Sequence, residues 1–446
     1  MANKFNRRDF LTLGAVATTG LIVGCSVSNE KKRTMEAKQF LDQANEGKEL
    51  KAGLIGCGGR GTGAAINFLS AGPNLKIHAL GDVFKDRVDG CKQKILDEKK
   101  HTVPDENCFV GFDAFEKVID SGVDVIILAT PPHFRPQHFA AAIDARKHVF
   151  MEKPVAVDPV GARSIIASSK KAEALGLVVG TGTQRRHQRD YVATFKEIYE
   201  GAIGDIVSAN CYWNQSQLWY RTPQKGWSEM EYMIRDWVNW TWLSGDHIVE
   251  QHVHNIDVIN WFSEKHPVKA VGFGSRQRRV TGDQYDNFSV DFEYENGMHV
   301  HSMCRQINGC VTNVSESIQG TKGSSNCQNS ILDLQGNKIW EYQYPKPEGW
   351  KEGDALPEDY NPSVKISPYV QEHIDLVQAI RENKPYVEAE ATAISTMCAI
   401  MGRISAYTGK EVTWEEIMNS DLQLGPKEYK LGPVNIDKSI AVPGVA

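Results

Sequence analysis

The chain has 446 residues, 41% of them hydrophobic and 24% charged, which are the proportions of a folded globular protein rather than a disordered one. That length suits two domains of roughly 150 to 250 residues. Lys and Arg number 50 against 56 Asp and Glu, a formal net charge of -6, so the basic excess of a nucleic-acid-binding protein is missing. No apolar run reaches the ~20 residues needed to span a bilayer.

Arg7 and Arg8 precede Asp9-Phe10-Leu11 and an uncharged, weakly polar run from Leu11 to Val23. A short apolar run behind positive charge suits a signal segment better than a spanning helix, and the arginine pair resembles the signal that exports already folded proteins. Ile22-Val23-Gly24-Cys25 resembles a lipobox, in which Cys25 becomes the lipid-bearing first residue of the mature chain. Residues 1–25 are therefore expected to be a twin-arginine and lipoprotein signal. They imply an exported bacterial protein, periplasmic or held at a membrane only through a lipid anchor at Cys25. Loss of Lys4, Arg7, Arg8 and Asp9 with the signal moves the net charge from -6 to -8. Residues 26–48, rich in Lys, Glu, Asn and Gln, read as a solvated tether with no core of its own.

From Lys51 a short strand runs into Gly56-Cys57-Gly58-Gly59-Arg60-Gly61, followed by a helix over Ala64–Ser70. The spacing Gly56-x-Gly58-x-x-Gly61 fits a dinucleotide-binding loop. Gly56 permits the tight turn, Gly58 lets the pyrophosphate approach, and Gly61 allows close helix–strand packing. A second strand, Leu75–Leu80, ends at Gly81-Asp82, where a carboxylate suits the adenosine ribose and repels a 2′-phosphate. NAD is thereby favoured over NADP. Strands Val125–Ala129 and His148–Met151 alternate with helices over Pro136–Ala145 and Pro159–Leu175. Alternating strands and helices mean a parallel sheet with its ligand loops at the strand ends, where Thr130, Pro131, Glu152 and Lys153 fall.

Past the strand Leu177–Gly182, residues 206–214, 268–274, 286–294 and 297–306 read as strands of a mostly antiparallel sheet, and 365–382 and 388–407 as helices. The fold class is α/β: an N-terminal Rossmann domain over 49–178 and a second α/β domain with a large, mostly antiparallel open sheet over 179–364, with helices and a tail over 365–446. Seven of the ten tryptophans lie between Trp213 and Trp261. Around them stand Asn214, Arg221, Arg235 and Asp236. Aromatic faces among hydrogen-bonding groups suit a sugar, so Trp213, Asn214, Arg235 and Trp237 are candidate substrate contacts. Eight cysteines beyond Cys25 form no Cys-x-x-Cys pair; they read mostly as buried thiols, and their pairing is left open.

Arg146-Lys147-His148-Val149-Phe150-Met151-Glu152-Lys153-Pro154 resembles the most specific segment of the Gfo/Idh/MocA oxidoreductases, usually Gly-Lys-His-Val, two residues, then Glu-Lys-Pro. Arg146 stands where the family has glycine. The resemblance runs from about Leu50 to Val412. It implies NAD as cofactor, C-terminal helices that return to the Rossmann domain, and a homo-oligomer joined through the second domain's sheet. It places Lys153 beside the nicotinamide, bonded to the reacting hydroxyl. Thr183-Gln184-Arg185 resembles the family's Asn-x-Arg turn, with Gln184 in place of asparagine. The segment Gly245–Asp257 resembles Asp-x-Gly-x-His-x-x-Asp: His254 and Asp257 match, Glu250 replaces aspartate and His252 replaces glycine.

His254 can take a hydroxyl proton while hydride leaves the same carbon, and a carboxylate four residues earlier can orient its ring. The expected catalytic set is Lys153, His254 and Glu250. Gly56, Gly58, Gly59, Arg60, Gly61, Asp82, Thr130, Pro131, Glu152, Lys153 and Gln184 are expected to hold the cofactor. Arg185 and Asp257 join the substrate candidates. His187 and His247 read as structural histidines. A rival is a metal site, because Glu250-x-His252-x-His254 in an extended segment sets three ligands on one face; hydride transfer needs no metal, and none is expected. The resulting expectation is an NAD(H)-dependent enzyme acting on a secondary hydroxyl of a sugar or glycoside, with a tightly retained cofactor. Two alternatives are a redox-neutral NAD-dependent glycosidase and a non-catalytic sugar-binding lipoprotein.

Overall fold

A computed structural model describes residues 33–346 and 366–445, together with 349, 351 and 353. The signal and Cys25 lie outside the described residues.

Eleven elements build the first layer: β1 (Leu50–Ile55), α1 (Gly59–Ser70), β2 (Leu75–Asp82), α2 (Lys85–Lys99), β3 (Cys108–Val110), α3 (Ala114–Asp120), β4 (Val125–Leu128), α4 (Arg135–Asp144), β5 (His148–Met151), α5 (Pro159–Ala174) and β6 (Val179–Thr181). The six strands are all parallel in the order β3-β2-β1-β4-β5-β6. Every residue of β4 is buried, as a strand covered by helices on both faces requires. Helix α5 starts where its sequence says it should: Asp158 accepts from Gly161 N–H and Pro159 occupies the first turn.

The second layer begins with α6 (Arg189–Tyr199) and β7 (Ile206–Gln215), then α7 (Glu229–Arg235), α8 (Thr241–Ser244), α9 (His247–Glu250) and α10 (Val253–Ser263). Strands β8 (Pro267–Ser275), β9 (Asn287–Tyr294), β10 (His299–Gln306), β11 (Asn313–Gly320), β12 (Gly323–Ser325), β13 (Ser330–Asp333) and β14 (Lys338–Glu341) follow. Helices α11 (Pro368–Glu382) and α12 (Ala389–Thr408), strand β15 (Val412–Thr413) and α13 (Trp414–Asn419) complete the set. The nine-stranded sheet runs β14-β13-β12-β11-β7-β10-β9-β8-β15 and is antiparallel except for β7 with β10. Phe288, Val290 and Phe292 of β9 face the core while Asp291 and Glu293 face outward, the alternation of a half-buried sheet. Strands β11 to β14 were not expected from the sequence.

Helix α11 packs on α1, β5 and β6, and α12 packs between α5 and β8, so the C-terminal helices join the two layers. Arg403 of α12, 1% exposed, donates to the carbonyls of Val157 and Gly245 (both 2.9 Å). One guanidinium thus ties the loop after β5 to the turn before α9.

The stretch expected to be a solvated tether is pinned along its described part. Ala44 N–H donates to the Ala71 carbonyl (2.7 Å), Arg189 reaches the Leu41 carbonyl and Asp42, and Lys38 pairs with Asp375 (2.6 Å). All eight described cysteines are free thiols, and only Cys310 is exposed. Among the described residues no helix is long and apolar enough to cross a membrane.

His187 is structural, as expected, and it is charged. Its ring meets Asp375 (2.6 Å) and Glu388 (3.1 Å). Burial alone would lower its pKa, but the two carboxylates outweigh burial and push it up to about 10. A folded-state pKa above the unfolded one gives stability that is complete below about pH 6.5 and lost as the pH rises through about 10. His187→Asn is therefore expected to cost about 3–5 kcal/mol near pH 7, the usual result of breaking a buried pair. Its melting temperature should approach that of the wild type above about pH 10; a gap that stays constant with pH would refute the charged assignment.

Candidate active site

A cleft of about 410 Å³ opens at the C-terminal ends of β1, β2 and β4. Its floor is the glycine loop. Gly56 has φ +99°, and a Cβ there would lie 2.6 Å from Thr130 N. A Cβ on Gly61 would lie 1.8 Å from the Gly56 carbonyl oxygen, whereas Gly58 and Gly59 face open space. Helix α1 begins at Gly59, five residues earlier than expected, with Gly58 as a cap that offers its first turn no side-chain acceptor. Its free N–H groups suit an anion.

Asp82 lies at the end of β2 and lines the cleft, but its carboxylate has a second task. It accepts from Cys57 N–H (2.8 Å) in the glycine loop and from Phe84 N–H (3.0 Å). Burial raises its pKa. Thr130 and Pro131 line the same cleft, and Thr130 Oγ1 and Gln184 Oε1 are buried with no hydrogen-bond partner among the described residues. An open glycine cradle, an uncapped helix start and two orphaned polar atoms fit a dinucleotide.

Arg60 turns back from the loop onto Glu152 (2.6 Å), with Glu372 of α11 at 3.6 Å and its guanidinium 4.7 Å above the Tyr369 ring. Tyr369 and Glu372 were missed in the sequence, where 365–382 carried only a helix signal. Buried Arg135 donates to the Glu152 carbonyl (3.0 Å) and the Pro154 carbonyl, fixing the turn that presents Lys153.

Lys153 reaches across to the second layer. Its Nζ donates to the Glu250 carbonyl (2.5 Å) and lies 3.4 Å from the Glu250 carboxylate. His254, one turn further on, stacks on the Trp213 indole at 5.4 Å between centroids. Its backbone N–H donates to the Gln251 carbonyl (3.3 Å), and its ring makes no hydrogen bond among the described residues. Burial first, then the charges of Lys153, Arg185 and Arg60, hold its pKa well below the usual histidine value. The ring is neutral near pH 7, and it can accept a proton. Asn214 Oδ1 and Trp213 Nε1 are buried with no hydrogen-bond partner among the described residues.

Several expectations change. Residues 247–263 are helical, interrupted at Gln251-His252, not extended. The interruption sends Glu250 to Lys153 and Gln251 rather than to His254. His252 meets Ser302 Oγ (2.7 Å), and burial lowers its pKa to about 3. Glu250, His252 and His254 therefore do not converge as metal ligands. Asp257 is fully engaged by Arg186 (2.8 and 2.9 Å) and Ser395 (2.8 Å), so it positions its neighbours instead of meeting substrate. Arg185 is bound to buried Glu316 (2.6 Å). His247 bonds the Trp213 carbonyl (3.3 Å), a structural role as expected. Arg235 and Trp237 line the glycine-loop cleft with Asp82, away from Lys153 and His254.

Comparison with known proteins agrees with this geometry. A model of an oxidoreductase family with an NAD-binding Rossmann fold matches residues 50–182, and a GFO/IDH/MocA C-terminal domain model matches 192–326, together more than half of the chain. The inositol 2-dehydrogenase of Acidothermus cellulolyticus is 27% identical over 245 residues, 54% of this chain and 62% of its own. The myo-inositol 2-dehydrogenase of Thermotoga maritima is 28% identical over 155 residues, 35% of this chain and 42% of its own. The alignments thus span less than two thirds of those relatives. Among solved structures, scyllo-inositol dehydrogenase from Lactobacillus casei with bound NAD(H) and scyllo-inositol superposes with a TM-score of 0.59 at 20% identity, covering 82% of this chain and 99% of that one. Aldose-aldose oxidoreductase from Caulobacter crescentus gives 0.61 at 15% identity, with coverage of 82% and 99%. These two share the fold.

Proposed function

The chain belongs to the Gfo/Idh/MocA oxidoreductases, and from that premise we propose that it is an NAD(H)-dependent enzyme that oxidises or reduces a secondary hydroxyl of a sugar or glycoside, with a dinucleotide retained through the cycle. One observation carries this: Lys153 of the Rossmann layer bonds the Glu250 carbonyl, one turn before His254, whose neutral imidazole feels the Lys153 charge, in a protein whose glycine loop floors an open cleft.

Gly58, Gly59 and Gly61 would hold the pyrophosphate and Asp82 the ribose. Thr130, Pro131, Glu152 and Gln184 would face the nicotinamide end. When bound, the nicotinamide supplies the hydride acceptor or donor. His254 accepts the hydroxyl proton at an imidazole nitrogen. Lys153 donates to the same oxygen and stabilises the charge that develops on it. The Glu250 carbonyl and carboxylate hold the Lys153 ammonium in place until substrate arrives. Asn214 Oδ1, unpartnered among the described residues, supplies a hydrogen-bonding group for a ring with hydroxyls, and Trp213 backs the His254 ring. The inositol dehydrogenases among the relatives support a cyclic polyol substrate.

The signal-like residues 1–25 support export of the folded chain with its dinucleotide aboard, followed by anchoring through Cys25. Exposed Phe273, Val271 and Met303 on the outer face of the second sheet support self-association there. Purified protein titrated with sugars, cyclic polyols and glycosides should show a change in bound-nicotinamide absorbance with at least one of them. Bound dinucleotide that never changes with any compound would overturn the redox assignment and favour a binding role. Net hydrolysis of a glycoside with no lasting absorbance change would move the assignment to the redox-neutral glycosidase.

A further inference from the structure

The cleft has two walls, and only one belongs to the Rossmann layer. Trp219, Arg221, Arg235 and Trp237 come from the segment between β7 and α8, yet they line the same space as Gly58 and Asp82. Arg235 fastens this segment down. Its guanidinium pairs with Asp86 at the start of α2 (2.8 and 3.0 Å) and lies 4.0 Å above the Phe84 ring. The Trp219 and Trp237 indoles meet edge to face at 6.2 Å, forming an apolar plate. Arg221 and, across the cleft, Arg87 line it without an ion-paired carboxylate among the described residues. Two unpaired guanidinium groups and an apolar plate match a molecule with two phosphates and a flat base.

The C-terminal tail crosses the outside of this wall. Met230 N–H donates to the Gly432 carbonyl (3.0 Å), and the Glu229 carboxylate accepts from Val434 N–H (2.7 Å) and Lys438 (2.5 Å). Tyr429 bonds His133 Nε2 (2.7 Å) and packs on Phe112 and Phe134, which themselves line the cleft. The base of the tail is held by Asp158, which accepts from Leu424 N–H (2.8 Å), and by Arg163, which donates to the Ser420 carbonyl (2.7 Å).

We infer that Trp219, Arg221, Arg235 and Trp237 form the second wall of the dinucleotide site, and that the tail over 420–440 straps this wall shut. The inference rests on the dinucleotide chemistry proposed above and says which residues make retention slow to reverse. A dinucleotide under this wall leaves only when the Arg235–Asp86 pair opens and the tail lifts.

The test uses the full chain and NAD itself. Tryptophan fluorescence and dinucleotide content after gel filtration give the release rate for wild type, Arg235→Ala and Glu229→Ala. Release should be at least about tenfold faster in both variants, because such contacts act mainly on the off-rate. Bound NAD should also slow tryptic cleavage of the wild type after Arg221 and Lys225. Wild-type binding of NAD with unchanged release from both variants, or cleavage indifferent to NAD, would overturn the second wall while leaving the proposed function standing. Wild type that binds no NAD in any form would remove both. If either alanine variant fails to fold, Glu229→Gln and Arg235→Lys make the same comparison.

Discussion

Lys153→Met is expected to lower kcat by about 10²–10⁴-fold, the range for losing a positioned proton donor or acceptor, while NAD stays bound. Among the described residues, the ammonium is the one charged group of the Rossmann layer that bonds the α9–α10 turn preceding His254. Methionine keeps the length of the stem and removes the charge, so the oxygen of the reacting hydroxyl loses its partner when negative charge develops on it. The change also releases Glu250, whose carbonyl and carboxylate Lys153 occupies. KM and kcat separate the two effects: a purely structural lysine would shift stability and KM, whereas a lysine on the reacting oxygen shifts kcat. Turnover within a few fold of wild type in Lys153→Met, with NAD bound, would refute the role.

Gly61→Ala should abolish useful dinucleotide binding. Its new Cβ would stand 1.8 Å from the Gly56 carbonyl oxygen, so α1 and the end of β1 must separate. Gly56 cannot yield easily, since it holds a positive φ against the backbone of Ala129 and Thr130. Overpacking of this kind costs about 1–3 kcal/mol of stability. Displacing the phosphate cradle by ~1 Å is worth about 100-fold in function. Gly63→Ala, two residues on in the same helix, is the control. Its Cβ meets nothing closer than 3.9 Å, and removing a mid-helix glycine should stabilise by about 0.5–1 kcal/mol. Equal NAD affinity in the two variants would show that the loop geometry is not what binds.

The glycine loop was readable in the sequence because its requirements are local. A positive φ, a near-contact and an open cradle each demand glycine within a few residues. The parallel strands were readable for the same reason, as short apolar runs between helices. Lys153 was different: spacing alone gave a lysine at a turn, and only the family resemblance singled it out. The pairing of Glu250 with His254 failed because four residues bring two side chains together only on an unbroken helix, and the chain turns at Gln251-His252. Strand β11 went unread because it buries Glu316, which faces inward to bind Arg185, Asn255 and Tyr191. An inward carboxylate hides the alternation that marks a strand. That Arg235 and Trp237 line the glycine-loop cleft could not be read from the sequence. Composition reveals that a segment can bind something flat and polar; where it binds is decided by contacts to residues 86 and 432–438, far along the chain.

Arg403 separates what can vary in this protein from what cannot. The segment bearing Lys153 and the segment bearing His254 are stapled to a single guanidinium buried in the long helix between the layers. The loop after β5 and the turn before α9 are therefore tied to each other through one buried side chain. The loop over 216–228 lines the cleft through Trp219 and Arg221 and takes no part in the staple. A lineage could exchange that loop wholesale, altering how the cleft is walled, and inherit the Arg403 contacts unchanged.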